Sequence, residues 1–423
     1  MDRFFNTLVI IIVISLNYAS AIENLEPPDI SDSKIFEIDK IIDSDNISST
    51  ITKILPGNND NLLLLCGQME YDPGSFEIID KFYPVFTISS NLADVKKIKE
   101  YDHEIEIAKI NDHYLIVKKG TRNTQEIDES GDVLHENRFN AVSGNMIRQV
   151  KTGPGNRVFI LSSSPENDYI TCFDSDDNLL WEASYGNESL NGINSYLPLN
   201  NGGVAIGYNI ESSDGYFPLM YGSIILLNSS GENDGGILLE KTQNGPASFK
   251  SQCFPVVHYS FANGNILWSH SNDGSVYPQN SHLMISDDRA VLTFTSYNFP
   301  GEIFTVNDNY FYRELSYYSG DSKLFLYDMQ GNLNISDTLK NVNFFDSYYD
   351  GQSSYFAGHY AKTDYEVNKY FYGGYIAKTK NLVTSVDYKI KEHGNDVSIY
   401  PNPADEALLI DLADAAKVRI ELT

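Results

Sequence analysis

Two kinds of short phrase alternate along most of this chain, and their spacing leaves few folds open. One is a polar turn running into an apolar strand rich in small residues: NNDNLLLLCG (58–67), NDHYLIVKKG (111–120), GNRVFILSSS (155–164), NGGVAIGYN (201–209), DDRAVLTFTS (287–296) and DGQSSYFAGH (350–359). The other is a strand, an acidic or Asn turn, and a second strand: IDESGDVLHE (127–136), FDSDDNLLWEA (173–183), LNSSGEN (227–233), FANGNILWSH (261–270) and YDMQGNLNIS (327–336). The apolar runs alternate or are β-branched and aromatic, Gly, Asn, Asp and Ser bound them, and few stretches carry helical spacing. An all-β fold is expected. The phrases recur at roughly 40–60 residues, the range of propeller blades. A unit of about four strands cannot bury both faces alone, whereas radial stacking around a channel buries them and protects the edges. Dividing Lys34 to Tyr388 by that period predicts a β-propeller of seven blades. The phase is lost between 240 and 285, where only SFKSQCFPVV stands in for the first phrase, so six or eight blades also fit.

The phrase Asp174-Ser175-Asp176-Asp177-Asn178-Leu179-Leu180-Trp181, followed by Tyr185-Gly186 and an NGG-led strand, resembles blades of secreted bacterial propellers related to the quinoprotein-like repeat group, and FANGNILW repeats it. The resemblance implies that Trp181 and Trp268 occupy matching places and dock one blade on the next. It implies nothing specific about activity, because propellers host many. Pyrroloquinoline quinone is not expected: the family's adjacent cysteine pair is absent.

Residues 397–412 read VSIYPNPADEALLIDL. The run Tyr400-Pro401-Asn402-Pro403-Ala404, followed by an alternating strand, resembles the opening of the C-terminal sorting domain of the type IX secretion system. That resemblance implies the type IX machinery as a partner and an address outside the cell or on its surface. At the other end, Arg3, the apolar run Leu8 to Leu16 and Ala19-Ser20-Ala21 stand in signal-peptide order. The run is about half the length of a membrane span, and no other stretch is long enough. The expected organisation is a signal peptide at 1–21, a propeller at 22–388, a linker at 389–396 and, at 397–423, the start of a small β-sandwich. In that sandwich Ala407 to Leu412 and Val418 to Leu422 read as strands. Sorting domains of this kind continue through further strands, so a partial one is expected.

A formal net charge of −28 repels phosphate backbones and anionic lipid, which excludes nucleic acid and membrane surfaces as expected partners. Cations and basic partners remain compatible. The three cysteines follow no metal-ligand spacing and cannot all pair, and Cys66 and Cys172 read as core strand positions.

Candidate sites are few. Asp174, Asp176 and Asn178 have the alternate oxygens that begin a calcium loop, but Leu179 and Tyr185 stand where Gly and the bidentate Glu belong, so a plain hairpin turn is the favoured reading. No other cofactor is expected. Between Tyr297 and Tyr375 the chain is unusually aromatic. Alternating strand positions account for most of these rings, and Tyr317, Tyr318, Tyr348 and Tyr349, flanked by turn residues, are the candidates for ligand stacking or a protein anchor. Nucleophile-elbow, zincin, P-loop and dinucleotide motifs are absent. Acid pairs for glycoside hydrolysis leave no local motif when they come from separate blades. A binding or adhesion module for an extracellular glycan or protein is therefore the first expectation. A glycan hydrolase and a structural surface protein are the alternatives. A hydrolase requires carboxylates from different blades within about 10 Å at one funnel, and a binding module requires exposed aromatics on one face.

Overall fold

The computed structural model describes residues 36–42, 47–72, 77–139, 142–143, 146–186, 192–212, 219–239, 255–271, 280–285, 289–295, 302–305, 307–316, 322–339, 342–364, 369–379, 397–400 and 409–412. They form seven four-stranded antiparallel sheets and one separate hairpin. Six sheets are sequential meanders. Their innermost strands are Ile47–Pro56 (blade 1), Ile105–Ile110 (blade 2), Met146–Gly153 (blade 3), Gly192–Pro198 (blade 4), Val256–Ser260 (blade 5) and Ile303–Thr305 (blade 6). Blade 7 takes Val342–Tyr349, Ser354–Asp364 and Lys369–Thr379 from the end of the region and its outermost strand, Phe36–Ile42, from the beginning. Each innermost strand neighbours that of the next blade, and Val342–Tyr349 neighbours Ile47–Pro56, so the ring closes. Seven blades is the observed number.

The inner strands whose burial is described are covered on both faces, which explains the unbroken apolar runs. In Leu62-Leu63-Leu64-Leu65-Cys66, alternate residues face opposite ways. Leu62, Leu64 and Cys66 join a cluster with Tyr355, Ala357 and Ile376 of blade 7, while Leu63 and Leu65 join Ile105, Tyr114 and Ile116 of blade 2. Val158 and Ile160 likewise face blade 2, and Phe159 and Leu161 face blade 4. Between blades 6 and 7 the junction is aromatic: Phe356 meets Phe304, Tyr312 and Phe344 at centroid distances of 5.5, 4.9 and 5.3 Å.

The meander sorts the connections onto two ends of the ring. Turns joining first to second and third to fourth strands share one end and span two to five residues; the other connections share the opposite end and reach sixteen. The recurring acidic phrase builds the short turns. Asp128, Asp174, Asn228 and Asp328 each use Oδ1 to accept the amides two and four residues on, at 2.8–3.0 Å. The residue three on is left-handed: Gly131, Asp177, Gly231 and Gly331, with φ between 70° and 89°.

Blade 5 corrects the reading of the repeat. FANGNILWSH joins its first and second strands and DDRAVLTFTS leads into its fourth, the reverse of the other blades. Both phrases lead into strands that start from the same end of the ring, so they exchange places and the phase is lost. Trp181 and Trp268 therefore do not match. Trp181, on an outermost strand, donates from Nε1 to the Ser229 carbonyl of blade 4 at 3.1 Å and lies so close to Gly231 that a Cβ there would meet its ring at 2.6 Å. Trp268 lies on the second strand of blade 5, fully buried with Leu199 and Ala205 of blade 4.

Cys66 and Cys172 are buried free thiols, and burial pushes the Cys172 thiol up to about 12. Cys253 lies outside the described residues. No helix among them is long and apolar enough to cross a membrane. In the separate hairpin, Val397–Tyr400 pairs with Leu409–Leu412, Tyr400 opposite Leu409. The signal at 1–21, the linker at 389–396, Pro401, Asn402, Pro403 and the strand expected at Val418 to Leu422 lie outside the described residues.

Candidate functional site

An innermost strand has one edge with no ladder partner, and its amides must be satisfied some other way. At four junctions a side chain of the preceding blade does this. Asp168 Oδ2 accepts Ile193 N at 2.9 Å, Ser195 Oγ accepts Val257 N at 3.1 Å, Glu314 Oε1 accepts Phe344 N at 3.0 Å, and Asp346 Oδ2 accepts Ile54 N at 2.9 Å. These polar side chains join blades.

Five innermost strands also carry a register shift in one place, directly after a buried apolar residue: Ile51, Ile147, Ile193, Val257 and Phe344. A bulge adds one residue and re-aims the side chains around it. Here it turns out Thr52, Arg148, Asn194 and Phe345, which are exposed, and His258, which is half-buried. Sheets cover both faces of these strands, so the space left is at the axis and at the end of the ring where the long connections gather.

Charged groups from several blades meet there. Lys53 Nζ donates to Glu106 Oε2 at 3.2 Å, and Lys119 Nζ lies 3.0 Å from Glu106 Oε1. Lys151 Nζ donates to the Tyr196 carbonyl at 2.7 Å and stands 5.0 Å over the Tyr196 ring. His258 Nε2 lies 2.8 Å from Ser269 Oγ. The protein encloses these groups while leaving each some contact with solvent. Desolvation, then the charge of Lys53, lowers Lys151 to about 8. Desolvation, then Lys151, lowers His258 to about 3, so the imidazole is neutral at physiological pH. Desolvation lifts Asp346 to about 6 against its bond to Ile54 N and the pull of Lys53 and Lys151. Glu302 is raised by desolvation and by Asp346. Lys53, Glu106, Lys151, His258 and Asp346 thus form one electrostatically coupled, mixed-sign cluster contributed by five blades.

Glu314 allows a separate test. Burial lifts its carboxyl to about 7, above the value of about 4.3 in an unfolded chain. Between those values the native state holds a proton that the unfolded state has lost. Its contribution to stability is therefore complete below the window and falls as pH rises through it. Glu314→Gln keeps the acceptor and cannot ionise. Within the window, the unfolding free energy of the variant minus that of the parent is expected to rise by about 1.4 kcal/mol per pH unit and to stay level outside it. Urea titrations at several pH values measure this.

The residues singled out from sequence fall elsewhere. Both carboxylate oxygens of Asp174 hold the hairpin turn, Oδ1 on two amides and Oδ2 on Asn178 Nδ2 at 2.8 Å, while Asp176 is exposed. Among the described residues, no three His, Cys, Asp or Glu side chains are placed to hold a metal ion. Tyr348 and Tyr349 are half-buried at the short-turn end of the innermost strand of blade 7. Tyr348 stacks on Tyr355 at 6.3 Å, and Tyr349 donates to the Gly351 carbonyl at 2.8 Å. Tyr317 and Tyr318 lie outside the described residues. The axial cluster escaped sequence reasoning. Of its members only Lys53 stands in a recurring short pattern, the apolar–x–polar–apolar of ITKI, IRQV and INSY, and no local signal marks the others.

No family profile matches the chain, and no curated protein matches it. Solved structures similar to it include apo AztD from Citrobacter koseri, 9% identical over 80% of this chain and 99% of that one with a TM-score of 0.38. They also include Drosophila Plexin A in complex with Semaphorin 1b, 9% identical over 82% and 88% with a TM-score of 0.42. A functionally unknown protein from Desulfotomaculum acetoxidans is 9% identical over 79% and 99%, with a TM-score of 0.40.

Proposed function

We propose that this chain is a secreted or surface-attached binding module, exported by the type IX machinery, whose propeller takes a polar ligand at the axial cluster. The observation that carries the binding role is the meeting of Lys53, Glu106, Lys151, His258 and Asp346, from five blades, at the axial end of the innermost strands. A stacking platform of exposed Tyr and Phe is not what supports it. The acids there are already engaged: Glu106 by two lysines, Asp346 by a backbone amide. Mixed charge with fixed partners suits recognition of a polar ligand better than acid–base turnover. Export rests on the signal-like N-terminus and on the YPNPA run between the paired strands Val397–Tyr400 and Leu409–Leu412.

The test is a glycan and protein binding screen on the full-length chain, with and without calcium. Saturable binding is expected. Lys151→Met is expected to weaken it by about tenfold or more, the worth of one charge-assisted hydrogen bond, with the melting temperature little changed. Binding indifferent to this substitution would remove the axial site from the reading. One observation favours a glycan hydrolase instead: Glu302 and Asp346, from neighbouring blades 6 and 7, are both raised above the usual carboxylate range. Turnover lost in Asp346→Asn would select that reading.

A further inference from the structure

A groove of about 940 Å³, within the size range of small-ligand sites, lies between blades 1 and 2 and shares no residue with the axial cluster. Its walls come from the long-connection ends of both blades. On a chain with net charge −28 it gathers four lysines: Lys81, Lys97, Lys99 and Lys118. Lys97 is paired with Glu100 at 2.8 Å, and Lys118 lies 3.9 Å from Asp102. Lys99 donates to the Gly131 carbonyl at 3.1 Å. Among the described residues, neither Lys81 nor Lys99 forms an ion pair within 4.0 Å. Lysines on an outermost strand also discourage edge-to-edge pairing, which accounts for Lys97 and Lys99 alone. That reading does not cover Lys81 or Lys118, which lie on inner strands of two different blades, nor the cavity between them.

The remaining lining narrows the ligand. Two side-chain amides are already oriented: Gln68 Nε2 donates to Ser49 Oγ at 2.8 Å, and Gln125 Oε1 accepts the Tyr101 hydroxyl at 2.9 Å. Phe82 offers a half-buried ring, and Glu70 and Asp80 are exposed acceptors. A ligand that satisfies this set needs carboxylates for Lys81 and Lys99, hydroxyl donors for Glu70 and Asp80, and an apolar face for Phe82. A uniformly acidic peptide would set its carboxylates against Glu70 and Asp80. A neutral glycan would leave Lys81 and Lys99 without a direct ion-pair partner. We infer that the groove between blades 1 and 2 binds an acidic glycan chain of the uronic acid type. This deepens the binding-module reading but does not use the axial cluster.

The test is a titration of the full-length chain with polygalacturonate, alongside neutral dextran and polyglutamate. Saturable binding of polygalacturonate is expected, with dextran and polyglutamate binding at least about tenfold more weakly. The double substitution Lys81→Ala/Lys99→Ala is expected to weaken polygalacturonate binding by about tenfold or more, as is Lys81→Ala alone in part, with the thermal transition retained. Lys96→Ala, at an exposed lysine of the Lys99 strand outside the groove, is expected to leave it unchanged. The double variant is expected to keep any binding that Lys151→Met removes, so failure at the axis and failure at the groove are read separately. No saturable binding, equal binding of polyglutamate, or binding unaffected by both lysine variants would each overturn the assignment.

Discussion

Deleting Phe36–Ile42 is expected to cost this chain its single cooperative thermal transition, or to lower its midpoint on the order of 10 °C, measured by calorimetry on the full-length chain and the deletion variant. The strand is the outermost of blade 7 and pairs with Lys369–Thr379 from Phe36 opposite Thr379 to Ile42 opposite Gly374. Without it, Lys369–Thr379 becomes an open edge whose N–H and C=O groups lose their partners. The ring also loses the chain segment that ties its last blade to its first, because Phe36–Ile42 leads directly into Ile47–Pro56 of blade 1. Deleting an outermost strand elsewhere would strip one blade; deleting this one opens the circle. The exposed edge is also a template for pairing with another copy, so aggregation on heating is expected to start earlier in the deleted form.

The second large effect is expected at Phe356→Ala. This ring is fully buried and contacts Phe304 and Tyr312 of blade 6 as well as Phe344 of its own blade. Removing it loses transfer free energy and leaves a cavity between blades that the surrounding sheets cannot close, a cost of about 3–5 kcal/mol. For a cooperative unit of this size that corresponds to a fall of about 4–7 °C in the melting temperature. Phe345→Ala is the control. That side chain is 44% exposed at a bulge, and its loss is expected to change stability by no more than about 0.5 kcal/mol.

These two sites show what the sequence could and could not reveal. LLLLC at 62–66 is legible because a strand buried on both faces needs no alternation, and the acidic turns are legible because Asp or Asn followed three residues later by Gly encodes a specific turn. Asp177 marks the limit of that code, since an acid takes the left-handed position that Gly holds in the other turns. Phe36–Ile42 was not legible as part of blade 7, because its partner strand lies more than 300 residues away and no local pattern records such a pairing. The innermost strands were hidden for a different reason. They are short, their bulges break the two-residue period, and polar residues occupy them, Ser195 and Asp346 to accept amides at neighbouring junctions and Lys53 to pair with Glu106. In the aromatic segment from Tyr297 to Tyr375 strand packing was expected to account for most rings, and Phe304, Tyr312, Phe344, Phe356 and Tyr375 are indeed buried at or near the junction of blades 6 and 7. Rings that pack two sheets and rings that hold a ligand obey the same alternation, so only the three-dimensional arrangement separates them.

The most direct measurement of ring closure is an engineered cross-link between Asp39 and Ala377, which face each other across blade 7. After mild oxidation of Asp39→Cys/Ala377→Cys, peptide mapping is expected to find an intramolecular disulfide joining the two positions, together with a raised melting temperature. Cysteines that stay reduced, or that bridge only separate molecules, would mean that Phe36–Ile42 does not complete the last blade and that the seven sheets do not close.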